Sequence, residues 1–250
     1  MFIGDLRIHA DTDALIEAVA QRWVAIAGEA VNARGKFHVA LSGGTTPRAL
    51  YRLLALPKFS DRVPWDQVHV YFGDERTVPP DHSDSNFHMA KETLFDHVPI
   101  PPSHIHRIQG ELEDPHAAAS EYTRALTSNL PLSAQGVVQF DLLLLGVGSD
   151  GHIASLFPAT PVLYERARLV EAVYVETMDT WRITLTLPVI DHARHVLILV
   201  SGAAKAPIMR DVFATQPTPP FPVQLINPLG ILEWHLDQAA AGLLPEELRS

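Results

Sequence analysis

The segment DLLLLGVGSDGHIASLFP, Asp141 to Pro158, constrains the fold of this 250-residue chain more than any other. Leu142 to Leu145 is an unbroken apolar run, which reads as a strand buried on both faces. It breaks into Gly146, Gly148 and Gly151, and the pair Asp150 and His152 stands where the next helix is expected to begin. A buried strand that delivers small residues and a titratable pair to its carboxyl end is how an open α/β sheet builds a ligand site. The same letters also fit G-x-G-x-x-G, a dinucleotide fingerprint, so the segment has two readings.

The rest of the chain alternates in the same style. Asp11 or Thr12 can cap a helix whose apolar positions Leu15, Ile16, Val19, Trp23, Ile26, Ala27 and Ala30 follow a helical period, with Gly35 as its stop. A strand over 37–41, a helix over about 47–56, a strand over 68–72 and a helix over about 85–95 are expected next. Asp114-Pro115 marks an N-cap and first helical residue for a helix running to about Leu130. Later strands are expected at 169–175, 183–187, 196–200 and 231–236, with a helix over 204–213 before the Pro-rich link QPTPPFP, 216–222. Continuous apolar strands alternating with helices imply a mostly parallel sheet covered on both faces, of modified Rossmann-like type. With no internal repeat or dividing linker, residues 1–250 are expected to form a single domain.

Composition narrows the function. The chain has no cysteine, which excludes disulfides and thiolate metal sites and makes a reducing cytoplasm the simplest home. The opening MFIGDLRIHADTD lacks the basic start and apolar core of a signal peptide, and no apolar run approaches the ~20 residues of a membrane span. A formal net charge of −10 argues against nucleic-acid binding. An anionic ligand would therefore need its basic contacts gathered locally.

Three polar clusters follow strands. Ser42-Gly43-Gly44-Thr45-Thr46-Pro47 lies between a strand and a helix, where backbone N–H groups and hydroxyls can cradle an anion. It lacks the Walker pattern, and its plain alternative is a capped βα turn. Gly73-Asp74-Glu75-Arg76 ends a second strand, and Arg76 can hold a phosphate with its planar fork. Downstream, His82-Ser83-Asp84-Ser85-Asn86 reads as a polar loop with Asp84 or Ser85 as N-cap.

The third cluster is the opening segment itself. A dinucleotide site needs a long helix after its glycines, and Pro158 comes only seven residues after Gly151. Glu165 or Glu171 could serve as the distal acid, but the missing helix disfavours that reading. His152 is the expected acid–base group, because an imidazole with a pKa near ~6.5 exchanges protons readily at neutral pH. Ser149 is a poor nucleophile candidate, since Val147 stands where the G-x-S-x-G elbow needs glycine. No metal motif occurs, and His9, His38, His69, His104 and His106 look scattered. Arg182, heading RITLTLP, and Lys205, opening a helix after Ser201-Gly202, are further basic candidates.

Taken in order, SGGTTP, GDER followed by DSN, GVGSDGHIASLFP, RITLTLPVI and SGAAK resemble the 6-phosphogluconolactonase family over about Leu41 to Lys205, with a weaker echo in ILEWHLDQAAA. That family is similar in fold to glucosamine-6-phosphate deaminases and ribose-5-phosphate isomerases. The resemblance implies no metal or other cofactor, and hydrolysis of 6-phospho-D-glucono-1,5-lactone in the oxidative pentose phosphate pathway. It also implies a small sugar-phosphate partner, no nucleic acid, no membrane, and a monomer or small homo-oligomer.

By motif position His152 would be the general base, with Asp150 orienting it or bracing the turn. Ser42, Gly43, Gly44, Thr45, Asp74, Arg76, Asn86, Gly148, Arg182 and Lys205 would bind phosphate or sugar. Asp191 departs from the family, which often has Asn after PVI. The nearest rival is a deaminase on the same scaffold, whose DGHIAFNEP carries a Glu where this chain has Phe157. A sugar-phosphate-sensing regulator is a more distant one, and neither the acidic charge nor the ~10 residues before the first helix are expected to accommodate the DNA-binding module that it would need.

Overall fold

The computed structural model describes residues 4–214 and 216–249, so the first three residues of the N-terminal stretch read above lie outside it. The elements run β1 (Asp5–His9), α1 (Thr12–Arg34), β2 (Phe37–Leu41), α2 (Thr45–Leu54), α3 (Pro57–Ser60), β3 (Val68–Phe72), β4 (Asp74–Arg76) and α4 (Asn86–Thr93). They continue with α5 (Pro115–Asn129), β5 (Leu142–Leu145), β6 (Val170–Val175), β7 (Thr180–Leu185), α6 (Leu187–Asp191), β8 (His195–Val200), α7 (Ala206–Ala214) and β9 (Ile231–Asp237).

Six strands form one parallel sheet in the order β1-β9-β8-β5-β2-β3. β2, β3 and β5 are buried at every residue, which is why each reads as an unbroken apolar run. Chain order leaves β2 toward β3 on one side, then resumes at β5 on the other side of β2. The β2/β5 boundary is thus the switch point where open α/β sheets bind ligands. α1 obeys its sequence signals: the Asp11 carboxylate accepts from the Ala14 N–H at 2.8 Å, and Gly35 ends the helix at φ 77°.

Two expectations are corrected. The strands near 170 and 183 do not join the parallel sheet; β4, β7 and β6 form a separate antiparallel sheet of three. Only residues 176–179 connect β6 to β7, and a parallel crossover needs a dozen or more residues, so a hairpin is forced. Nor does a helix follow Gly151. The chain makes a bridge between Ile153 and Leu156, passes Pro158, and reaches only a 3-10 turn at Pro161–Tyr164.

β1 was not foreseen. It is a sheet-edge strand with no fully buried residue, so its sequence lacks a continuous apolar signal. The histidines that look scattered are partly gathered: His69 stacks on His104 at 4.0 Å and on His38 at 5.1 Å, at the end of β2 and β3 away from their carboxyl termini. Among the described residues no group of His, Asp or Glu could hold a metal ion, and no helix is long and apolar enough to cross a membrane.

Candidate active site

The loops after β2, β3, β5 and β8 converge on a crevice of about 370 Å³ at the carboxyl end of the sheet. Two buried tyrosines fix where these loops leave the sheet. Tyr51 of α2 accepts from the Ser42 N–H at 3.0 Å and donates to the Ser42 carbonyl at 2.7 Å. Tyr122 of α5 does the same to Phe72, at 2.8 and 2.9 Å. Burial pushes both phenols up, so they stay neutral and can both donate and accept.

Ser42, Gly43, Gly44 and Thr45 form one wall. No side chain caps α2, so its leading N–H groups remain open to a ligand. Gly43 is dictated by contact: a Cβ there would lie 2.1 Å from Asn86 Oδ1. Asp74, Arg76 and Asn86 form the facing wall. Asn86 donates to the Asp74 carbonyl at 2.9 Å and to its carboxylate at 3.2 Å, and Ser155 Oγ donates to the other carboxylate oxygen at 2.6 Å.

Gly148 and His152 line the floor. Asp150 Oδ1 lies 2.6 Å from His152 Nδ1, and the His152 carbonyl accepts from the Gly148 N–H at 2.8 Å. An ionised carboxylate only accepts, so the ring proton belongs on Nδ1 and Nε2 keeps its lone pair. Phe157 packs on the other side of the imidazole, with ring centroids 4.1 Å apart. A Cβ on Gly148 would stand 2.1 Å from Nδ1, so only glycine leaves space for this ring.

Cationic groups lie at the rim. Lys205 donates to the Val147 carbonyl at 2.7 Å, tying the loop after β8 to the loop after β5; burial lowers its pKa, opposed by the charge of Asp150. Arg76 donates to the Asp84 carbonyl and faces Arg182 directly across the β4–β7 pairing. Neither arginine has an ion-pair partner among the described residues, and burial, then Arg76, lowers the Arg182 pKa.

Ten of the twelve residues singled out from sequence line the crevice; Asp150 and Arg182 stand just behind it, against His152 and Arg76. Arg182 is the third residue of β7 rather than the head of a strand. Thr46, already part of the cradle expected from sequence, and Ser201, named there only as preceding Lys205, also line the crevice, and their hydroxyls meet at 2.7 Å. The signal for Ser201 was present, since Ser201-Gly202 follows a buried strand just as Ser42-Gly43 does. Asp191 is not among the crevice residues and caps the Asn227 N–H at 2.7 Å.

Fold and site together define an α/β protein with a polar crevice at the carboxyl end of its sheet and an imidazole at the crevice floor. Residues 10–234 match the family model described as glucosamine-6-phosphate isomerases/6-phosphogluconolactonase, and the chain belongs to that family. It is 41% identical over 213 residues to the 6-phosphogluconolactonase of Synechocystis sp., covering 85% of this chain and 86% of that protein. The solved structure of 6-phosphogluconolactonase from Trypanosoma brucei superposes with a TM-score of 0.84 at 31% identity, covering 98% of this chain and 100% of the other. A monomeric glucosamine-6-phosphate deaminase shares the fold at a TM-score of 0.80 and 20% identity, covering 96% and 99%. Within the family the relatives place this chain among the lactonases, which are carboxylic-ester hydrolases.

Proposed function

We propose that the chain hydrolyses 6-phospho-D-glucono-1,5-lactone to 6-phosphogluconate, with His152 as general base, as the lactone-opening step of the oxidative pentose phosphate pathway. The observation that carries this reading is the tethered imidazole: Asp150 holds Nδ1 at 2.6 Å, and the ring lines a crevice rimmed by Arg76, Lys205 and the N-terminus of α2.

His152 Nε2 takes a proton from water as the water oxygen bonds to C1 of the lactone. The tetrahedral oxyanion collapses, the C1–ring-oxygen bond breaks, and His152 returns the proton to the departing oxygen as the C5 hydroxyl. General acid–base help of this kind contributes about 10²–10⁴ in rate. Ser42, Gly43, Gly44, Thr45 and Arg76 take the phosphate, with Arg182 reinforcing Arg76. Asp74, Asn86, Gly148 and Lys205 set the sugar's orientation. Phosphate binding remote from C1 then lowers the barrier as well as KM.

Residues 1–250 act as one domain in this reading, which needs no cofactor and no metal. The cysteine-free composition suits a cytoplasmic setting. Deamination is disfavoured because Phe157 packs on His152, where a second acid–base group would be needed to move a proton between C1 and C2.

The test follows freshly generated phosphogluconolactone by NMR with and without protein. Opening faster than the spontaneous blank supports the assignment. Ammonia release from glucosamine 6-phosphate without such acceleration would overturn it.

A further inference from the structure

Glu75 is 2% exposed and is absent from the crevice, although its neighbours Asp74 and Arg76 both line it. Alternation along β4 explains this, since successive side chains point to opposite faces. On its own side, among the described residues, the Glu75 carboxylate accepts from four donors and has no ion-pair partner. Oε1 accepts from the backbone N–H groups of Arg76 and Asn86, both at 2.8 Å. Oε2 accepts from the Phe87 N–H at 2.9 Å and from Ser85 Oγ at 3.1 Å. All four partners donate and an ionised carboxylate only accepts, so the set is saturated and matched in polarity.

These four donors flank the crevice's polar wall. The chain leaves β4 at Arg76, loops through residues 77–84 and returns at Ser85 to start α4, and Glu75 pins both ends of that excursion. The Arg76 guanidinium is aimed by its donation to the Asp84 carbonyl, one residue before the pinned Ser85. Asn86 is pinned at its own N–H, and its side chain bridges Asp74 to the close approach at Gly43. One buried carboxylate thus ties together the two segments that carry Arg76 and Asn86.

We propose that Glu75 is a positioning residue for substrate phosphate, fixing the aim of Arg76 and the seat of Asn86 from behind β4 without touching the ligand. This rests on the reading of Arg76 as a phosphate contact. Glu75→Gln keeps the shape but turns one end of the carboxylate into an NH₂ group facing two donors, which breaks the anchor on that side.

A double-mutant cycle with Arg76→Ala tests the coupling, read as KM for phosphogluconolactone, kcat, and calorimetric Kd for 6-phosphogluconate. Glu75→Gln is expected to raise KM and Kd together by roughly 10- to 100-fold, the scale on which a misplacement of about 1 Å acts. In the Arg76→Ala background the same substitution should cost several-fold less than in wild type, because only its effect on the seat of Asn86 is left. A general loosening of structure would instead multiply the two effects.

Wild-type KM and Kd in Glu75→Gln, or independent effects in the cycle, overturn the proposal. If Arg76→Ala leaves KM and Kd unchanged, the phosphate role of Arg76 fails, and the proposal resting on it fails too. Should Glu75→Gln not fold, Ser85→Ala removes one of the four donors and runs through the same cycle, with the same pattern expected at smaller amplitude.

Discussion

Asp150 Oδ1 holds His152 twice, at 2.6 Å from the ring Nδ1 and at 3.2 Å from the backbone N–H of the same residue. One oxygen therefore touches both the turn backbone and the imidazole, so the contacts that its two alternative roles need are both present. Asp150→Asn can keep the turn contact through its carbonyl oxygen, but it removes the charge that, in the proposed mechanism, would stabilise an imidazolium at His152. For that variant kcat for lactone opening is expected to fall by roughly 10-fold or more while the melting temperature stays near wild type. Steady-state kinetics beside a thermal melt check it, and an unchanged kcat would make Asp150 a turn residue only.

His152→Ala should lower kcat by about 10²–10⁴ while calorimetric affinity for 6-phosphogluconate stays within a few-fold. Near-wild-type hydrolysis by this variant would sink the general-base mechanism.

Gly148→Ala places a methyl group 2.1 Å from Nδ1 and 2.7 Å from Asp150 Oδ1. The atoms that it meets are side-chain ends, so the ring swings aside and the fold survives. Expected are a kcat loss of at least about 10-fold and a melting temperature within a few degrees of wild type. A crystal structure of the variant should show the Asp150–His152 contact broken.

Burial of His38 and His69 lowers their pKa values to about 4 and about 3, with Lys36 adding to the shift at His38 and His104 at His69. The native state keeps both rings neutral, whereas the unfolded chain protonates them near the ordinary value of ~6.5. Unfolding therefore takes up protons below that pH. The stability contributed by the neutral rings is full above about pH 6.5 and falls as pH drops toward 4, by about 1.4 kcal/mol per pH unit for each proton taken up. Urea titrations between pH 7 and 4.5 should show this loss, and His69→Phe, which cannot titrate, should flatten the slope. An equal slope in that variant would place the acid sensitivity elsewhere.

Much of this fold is legible in order along the chain. β2, β3 and β5 announce themselves because both of their faces are buried. α1 and α5 announce themselves through Asp11 and Asp114, whose side chains cap their first turns. β1 escapes notice because an edge strand need not be apolar, and the absence of a helix after Gly151 is only hinted at by Pro158. The crevice residues are legible for a similar reason: each cluster directly follows a buried strand, and a parallel sheet brings all such ends to one side.

By itself, then, the sequence determined the buried strands, the glycines and the acid–imidazole pair at Asp150 and His152, since burial, turn geometry and hydrogen-bonding capacity are local demands on residue type. Tertiary structure alone decided that Arg76 faces Arg182, that Thr46 meets Ser201, that Glu75 anchors Ser85 and Asn86, and that β4, β6 and β7 leave the main sheet. Those are pairings between distant segments, set by strand register and by the shortness of the 176–179 connection, and no residue's own chemistry encodes its partner across the fold.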